Sequence, residues 1–339
     1  DPESEFRPLH EINPLRLDWI NSLSPLHLTD GNGLELDLLS CGATISAIRV
    51  DGHQVTLGYA APELFLHDSF YLGASIGRFA NRIANGRCQL NGQQLTLNVN
   101  NASHCLHGGS VGFNQVNWQV LQRTDNSAEL YYCAADGEQG FPGRLEVWQQ
   151  ITVQDGAISM RFRARADKDT LINLTNHCYF NLNTDGSSIE NHQLQLNAAH
   201  YLPTDSSSIP TGRLQAVAGS AFDFLSPRTI ADAVAQGDIQ LQQAGGFDHC
   251  FVTAAQPYNA LHQQARLHSS QSGLTLTVHS TQPGIQLYSG NFLAAPFSPR
   301  QGLCLEAQNW PDAPNQSGFP SALLPAGHWY VQEIIYSFQ

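Results

Sequence analysis

Two residues of this chain have the side-chain chemistry of a proton-transfer pair and stand in settings that tune it. Glu306 follows the apolar run Leu303-Cys304-Leu305, and His177 lies within the polar segment NLTNHCYFNL, residues 173 to 182. A carboxylate set into an apolar strand is costly to bury, and burial raises its pKa toward the range of a general base. Imidazole is the side chain that changes charge near neutral pH, so it can deliver a proton or accept one. Taken singly, each residue also has a plainer account. Glu306 can sit on the outward face of its strand and solvate it, and His177 can be a hydrogen-bonded structural histidine.

Further polar segments are too rich in His, Asn, Arg and acids to be simple turns. GASIGRFANRIANG, residues 73 to 86, places glycines around Arg78, Asn81 and Arg82, so backbone and side chains can approach a ligand closely. Pairing of these arginines with acids elsewhere is the structural alternative. NNASHCLHGG, residues 100 to 109, holds His104 and His107 at HxxH spacing. Zinc is disfavoured because neither an HExxH motif nor a third ligand at metal spacing accompanies them. His107 fits a sugar-hydroxyl contact better, and a satisfied loop histidine is the alternative. GGFDHCFV contributes Asp248, and QPGIQLYSGNFL contributes Gln286.

The elements that must position these groups read as strands. Leu34, Leu36 and Leu38 alternate with Glu35 and Asp37, a half-buried strand pattern. Asp51-Gly52, Asn91-Gly92 and Asp155-Gly156 each separate two strand-like runs and predict two-residue hairpin turns. WQVLQ, AELYYCA, LEVWQQITV, HQLQLNA, LTLTVHS and GIQLYSGNFL extend the pattern along the chain. Helical periodicity is confined to a short segment near Thr229 to Gln236, after Ser226-Pro227. The expected fold is all-β, a large two-sheet antiparallel β-sandwich. Residues 1–17 lack periodicity and are read as an N-terminal arm, with residues 18–339 as one sandwich domain.

Composition narrows the partners. Of 339 residues, 42% are hydrophobic and 13% charged, enough apolar content for a substantial core. A formal net charge of -13 argues against nucleic acid and anionic membrane surfaces and suits a neutral, hydroxyl-rich ligand. Seven cysteines with no CxxC pair predict reduced thiols and a cytoplasmic location. No apolar run is long enough for a membrane helix.

GRFANRIANG, LHGG followed by Gly112-Phe113, NHCYFNL, FDH and LEAQNWPDAPN occur in this order over nearly the whole chain. As a set they resemble the aldose 1-epimerase family. The resemblance implies a galactose mutarotase-like β-sandwich and an enzyme that interconverts the α and β anomers of free hexoses such as D-galactose and D-glucose. Matched motif by motif, it implies Glu306 as general base and His177 as general acid. Asn81, Arg82, His107, Asp248 and Gln286 then contact sugar hydroxyls or orient the pair, and Tyr179 can cover an apolar sugar face. An Asp248 carboxylate beside His177 would favour the imidazolium form. The resemblance also implies no cofactor and no metal, with a monosaccharide as partner. No interface signal decides between a monomer and a homodimer. A non-catalytic carbohydrate-binding β-sandwich is the main rival. A glycoside hydrolase or lyase on a related sandwich is a second. An enzyme of sugar phosphates is disfavoured, because these motifs lack a dense Arg/Lys cluster.

Overall fold

Period-two burial organises the chain into stacked antiparallel sheets. The computed structural model describes residues 23–254 and 260–339, so the expected arm at residues 1–17 lies outside the described residues. Strand Leu145–Gln154 buries Leu145, Val147, Gln149, Ile151 and Val153 and turns the intervening residues outward. Its neighbour Ala157–Ala166 does the same with Ile158, Met160, Phe162 and Ala164. These two strands, the C-terminal strand Tyr330–Phe338 and six others form a nine-stranded sheet. A six-stranded sheet contains Asp248–Val252, Gly284–Tyr288 and Leu303–Gln308 as adjacent strands. Leu26–Gln54 forms a four-stranded sheet. Inward side chains of all three sheets share one core, from Leu28 to Phe338.

The three predicted hairpin turns are present, and each has the positive φ angles that a two-residue connection between twisted strands requires. φ is 49° and 83° at Asp51-Gly52, 52° and 78° at Asn91-Gly92, and 51° and 76° at Asp155-Gly156. The register follows from them, with Val50 opposite His53, Leu90 opposite Gln93 and Gln154 opposite Ala157. The expected helix is Ile230–Gln236, with the Thr229 side chain accepting the Asp232 N–H as its N-cap. A second helix, Ile239–Ala244, runs from the Asp238 cap to Gly245 at φ 77°. It is too short to show a helical period in the sequence. GIQLYSGNFL is strand only over Gly284–Tyr288 and then turns at Gly290, where φ is 67°. Among the described residues no helix is long and apolar enough to cross a membrane.

Four histidines are built into the fold through a ring nitrogen. His104, His107, His192 and His249 each accept a backbone N–H, at 2.9 to 3.1 Å. A nitrogen used as an acceptor carries no proton, which holds the buried His107, His192 and His249 neutral. Burial pushes His192 down to about 4 and His249 down to about 3, and lowers His107 as well. Below about pH 6.5 the unfolded chain protonates these side chains while the folded chain does not, so stability falls as pH falls toward the folded values. Each of these three histidines contributes roughly 1.4 kcal/mol per pH unit within that window. Urea midpoints should therefore drop steeply between pH 7 and pH 5. An unchanged midpoint over that range would show that the rings are already charged in the native state.

Candidate active site

The candidate site is the outer face of the six-stranded sheet. Residues directly opposite one another in neighbouring strands point to the same face. Asp248 is opposite Tyr288, which is opposite Cys304, which is opposite Tyr179. The next row holds Cys250, Gln286 and Glu306. The alternate residues Leu303, Leu305, Ala307, Ile285 and Leu287 face the shared core. Strand Leu303–Gln308 is buried on both faces, which explains its unbroken apolar appearance around Glu306. Glu306 is only 2% exposed, so it is not an outward solvating residue.

His177 is brought to Glu306 by backbone pairing. Thr175–Asn176 pairs with Ser75–Ile76, and His177 extends that ladder by donating its N–H to the Ala74 carbonyl while its own carbonyl accepts from Gly73. Two residues later the same segment pairs with the six-stranded sheet, Tyr179 opposite Cys304. Continuing that register backward sets His177 opposite Glu306. His177 Nε2 lies 3.5 Å from Glu306 Oε1, with both side chains buried.

Arg82, Asn81 and His107 close the other side. Arg82 pairs with Leu106 across a two-residue ladder, and its Nε donates to Asn101 Oδ1 at 3.1 Å. Asn81 and His107 adopt φ of 67° and 51°, a left-handed conformation uncommon for residues other than glycine, though Asn and His enter it more readily than most. They hold each other: Asn81 N–H donates to His107 Nδ1, and His107 N–H donates to the Asn81 carbonyl, both at 3.0 Å. Arg78 of the same segment turns away and donates to the Pro142 and Gly143 carbonyls, which makes it structural.

These groups line a cavity of about 380 Å³ with Tyr71, Tyr179, Tyr288 and Phe292. That volume falls in the range of small-molecule sites. All seven residues expected from the sequence are near it: Asn81, Arg82, His107, His177, Asp248 and Glu306 line the wall, and Gln286 stands behind Asp248, donating to its Oδ1 at 2.9 Å. Sequence reading missed Tyr71, Tyr288, Phe292, Ser206, Ser208 and Gln243. Tyr288 was discoverable, because it is two residues from Gln286 and must share its face. Tyr71 has φ of 59° and packs against both His107 and His177, an arrangement with no sequence signal.

Electrostatics in the cavity depart from the expectation for His177. Burial holds the imidazole down at about 4, and Asp248 is not among the groups that raise it. Asp248 acts on Glu306 instead. Burial and then the Asp248 charge push Glu306 well above the usual carboxylate range, with Arg82 opposing them. Asp248 is itself raised by burial against the pull of Arg82 and Gln286. Burial thus raises the carboxyl and lowers the imidazole, so both shifts favour the neutral forms of the pair, although its spacing would also suit an ion pair. Glu306 Oε1 and Gln286 Oε1 are buried and have no hydrogen-bond partner among the described residues. Unsatisfied buried acceptors are costly, and a ligand hydroxyl is a donor that would relieve the one at Glu306, which lines the cavity.

His107, His177 and Glu306 place three potential metal ligands within 4.8 Å of one another. The hydrogen bonding does not fit a cation. His107 Nδ1 accepts the Asn81 N–H, so Nε2 carries the ring proton and offers a donor where a metal requires a lone pair.

A β-sandwich with a buried carboxyl and imidazole facing each other in a cavity of small-molecule size suits an enzyme that moves protons on a small ligand. Comparison with known proteins makes this specific. The aldose 1-epimerase family profile matches residues 25–337. Galactose mutarotase of Homo sapiens is 40% identical over 321 residues, covering 90% of this chain and 91% of the relative. Aldose 1-epimerase of Escherichia coli (strain K12) is 38% identical over 328 residues, covering 92% and 94%. The crystal structure of an aldose epimerase homologue from C. elegans superposes with a TM-score of 0.84 at 29% identity, covering 93% of this chain and 98% of that one. Galactose 1-epimerase from Lactobacillus acidophilus NCFM also gives 0.84, at 28% identity and coverage of 93% and 94%. The chain belongs to the aldose 1-epimerase family. It is an isomerase that interconverts the anomers of aldoses.

Burial of Glu306 carries a stability penalty that a variant can expose. Its folded pKa lies above its unfolded value, so its favourable contribution is complete below about pH 4.5 and is lost as pH rises toward the folded value. Glu306→Gln keeps the shape without the titration. We expect this variant to melt about 2–6 °C above the parent at pH 8 and to lose the advantage near pH 4, by calorimetry. Equal melting temperatures at both pH values would mean that Glu306 is not desolvated.

Proposed function

We propose that the protein equilibrates free hexoses such as D-galactose and D-glucose, with Glu306 as general base and His177 as general acid. The observation that carries this reading is the 3.5 Å approach of His177 Nε2 to Glu306 Oε1 at the wall of the cavity. In the ring-opening step the Glu306 carboxylate removes the C1 hydroxyl proton, and the His177 imidazolium gives a proton to the ring oxygen. The C1 to ring-oxygen bond breaks, and an aldehyde and a C5 hydroxyl form. After rotation about the C1 to C2 bond, the two transfers reverse and the other anomer closes.

The remaining residues hold the sugar. His107, fixed as an Nε2–H donor, and the Arg82 guanidinium donate to hydroxyls, while Asp248 accepts and Gln286 orients Asp248. Asn81 acts by holding His107. Tyr179 and Tyr288 form an aromatic wall beside the pair. A binding module would have no use for a carboxyl buried against an imidazole, whose desolvation is unfavourable and adds nothing to holding hydroxyls. We assign residues 18–339 to one domain, supported by a core that draws on strands from Leu28 to Phe338. We place the enzyme in the cytoplasm, supported by the buried thiols of Cys88, Cys105, Cys178, Cys250 and Cys304.

Polarimetry on freshly dissolved α-D-galactose tests the assignment. Glu306→Gln and His177→Asn should each lower kcat by about 10²- to 10⁴-fold while remaining folded. Arg82→Met and Asp248→Asn should act mainly through KM. Full activity in either of the first two variants would remove that residue from the chemistry. The wild-type rate should follow a bell in pH, because the active pair holds one proton. A second proton abolishes the base on the acid side, and loss of the single proton abolishes the acid on the alkaline side. A rate independent of pH from 4 to 10 would be incompatible with any acid/base pair at this site.

A further inference from the structure

Cys304 is a buried group of this face that neither the chemistry nor the hydrogen-bond network described so far employs. It is wholly buried, lies two residues before Glu306 on the same side of its strand, and sits between Tyr179 and Tyr288 in the cross-strand row. Its Sγ is 3.5 Å from His177 Nδ1, on the opposite side of the ring from Glu306. Burial, Glu306, Cys178 and Asp248 all oppose ionisation of the thiol, so it remains S–H.

We infer that Cys304 is the positioning residue of His177: by accepting a weak hydrogen bond from Nδ1–H, the thiol commits Nε2 to proton exchange with the sugar and Glu306. This rests on the proposed role of His177 and deepens it. During catalysis Nε2 gains and loses a proton, whereas Nδ1 must keep its own, since a ring that shuttled both would present the wrong nitrogen to the ring oxygen. An acceptor at Nδ1 is therefore required. The His177 backbone carbonyl also interacts with the ring, but it receives the Gly73 N–H as well and divides its two lone pairs between them.

The softness of sulfur matters as much as its position. A carboxylate at Nδ1 would stabilise imidazolium and weaken it as an acid. A thiol holds the tautomer while adding little to the stability of the cation. The other groups packed on the ring leave that balance intact. Tyr71, Tyr179 and His107 contact it through ring faces and edges at centroid distances of 5.2 to 5.7 Å. Arg82 and Asp248 act on Glu306, and Glu306 meets Nε2.

The test compares Cys304→Ser and Cys304→Ala by polarimetric pH-rate profiles and by ¹⁵N chemical shifts of the His177 ring. Serine supplies a harder acceptor at the same place. We expect it to retain the Nδ1–H tautomer and kcat within about threefold, with the alkaline limb moved to higher pH. Alanine removes the acceptor. It should mix the two tautomers, lower kcat by about five- to tenfold with KM nearly unchanged, and move the alkaline limb to lower pH. Should the alanine variant fail to fold, the direction of the serine shift decides alone. Profiles and ring shifts identical to the parent in the serine variant, or a change of rate with no movement of the alkaline limb, would overturn the inference. His177→Asn separates the two readings: if it stays active, the acid assignment fails, whereas the ¹⁵N shifts report the tautomer without reference to activity.

Discussion

Everything in this site depends on holding a buried carboxyl and imidazole at 3.5 Å without using the atoms that exchange protons. Among the described residues Glu306 Oε1 has no hydrogen-bond partner, so its position is set by backbone on both sides. Thr175 Oγ1 donates to the Ala307 carbonyl at 2.6 Å, which ties the His177 segment to the strand of Glu306. Asn173 and Asn309 exchange two bonds, Asn173 Nδ2 to the Asn309 carbonyl and Asn309 N–H to Asn173 Oδ1. Asn176 Nδ2 reaches the Gly73 carbonyl, and Ser75 Oγ reaches the inward side chain of Gln149 in the large sheet. Each such bond adds about 1 kcal/mol net, and breaking one leaves a buried group that costs about 1–3 kcal/mol. The segments therefore shift together or not at all.

The same economy of atoms explains His107. A histidine in a sugar site is useful as a donor only if its tautomer is fixed, and a side-chain partner could exchange protons with it. The Asn81 backbone N–H cannot, so Nδ1 stays an acceptor and Nε2 stays a donor over the working pH range. The positive φ angles of Asn81, His107 and Tyr71 are the local distortions that make this possible. Such conformations persist only where surrounding contacts over-determine them.

Period two made most of the scaffold legible, because a half-buried strand writes its facing into alternate residues and a tight hairpin needs Asp-Gly or Asn-Gly. Leu34–Leu39, Leu145–Gln154 and the three hairpins are cases in which local pattern and tertiary burial agree. Of the candidate site, the ordered motifs located seven residues near one cavity. What escaped has a physical reason in each case. Tyr71 and Ser208 reach the cavity through positive φ angles, which sequence does not announce for non-glycine residues. Gln243 belongs to a helix of six residues, less than two turns. The electrostatic setting of His177 differs from the sequence expectation because the Asp248 charge acts on Glu306 and not on the imidazole, a distinction that the linear sequence does not carry.

That setting bears directly on the proposed chemistry. When Glu306 takes the C1 hydroxyl proton and His177 releases its own to the ring oxygen, the pair passes from ions to a neutral acid and a neutral imidazole. Burial drives the pair toward the neutral state, raising Glu306 and lowering His177. The cavity thus favours the state that exists while the sugar is open and disfavours the one that accompanies either closed anomer. A catalyst gains rate by complementing the high-energy species rather than the ground state. Here that species is the open aldehyde, and the complement is the absence of charge around it. Arg82 opposes the effect at Glu306 and keeps the ionic state within reach, which reclosure requires. Because the two anomers share the open form, the same bias acts alike on opening from either side and leaves their equilibrium unchanged.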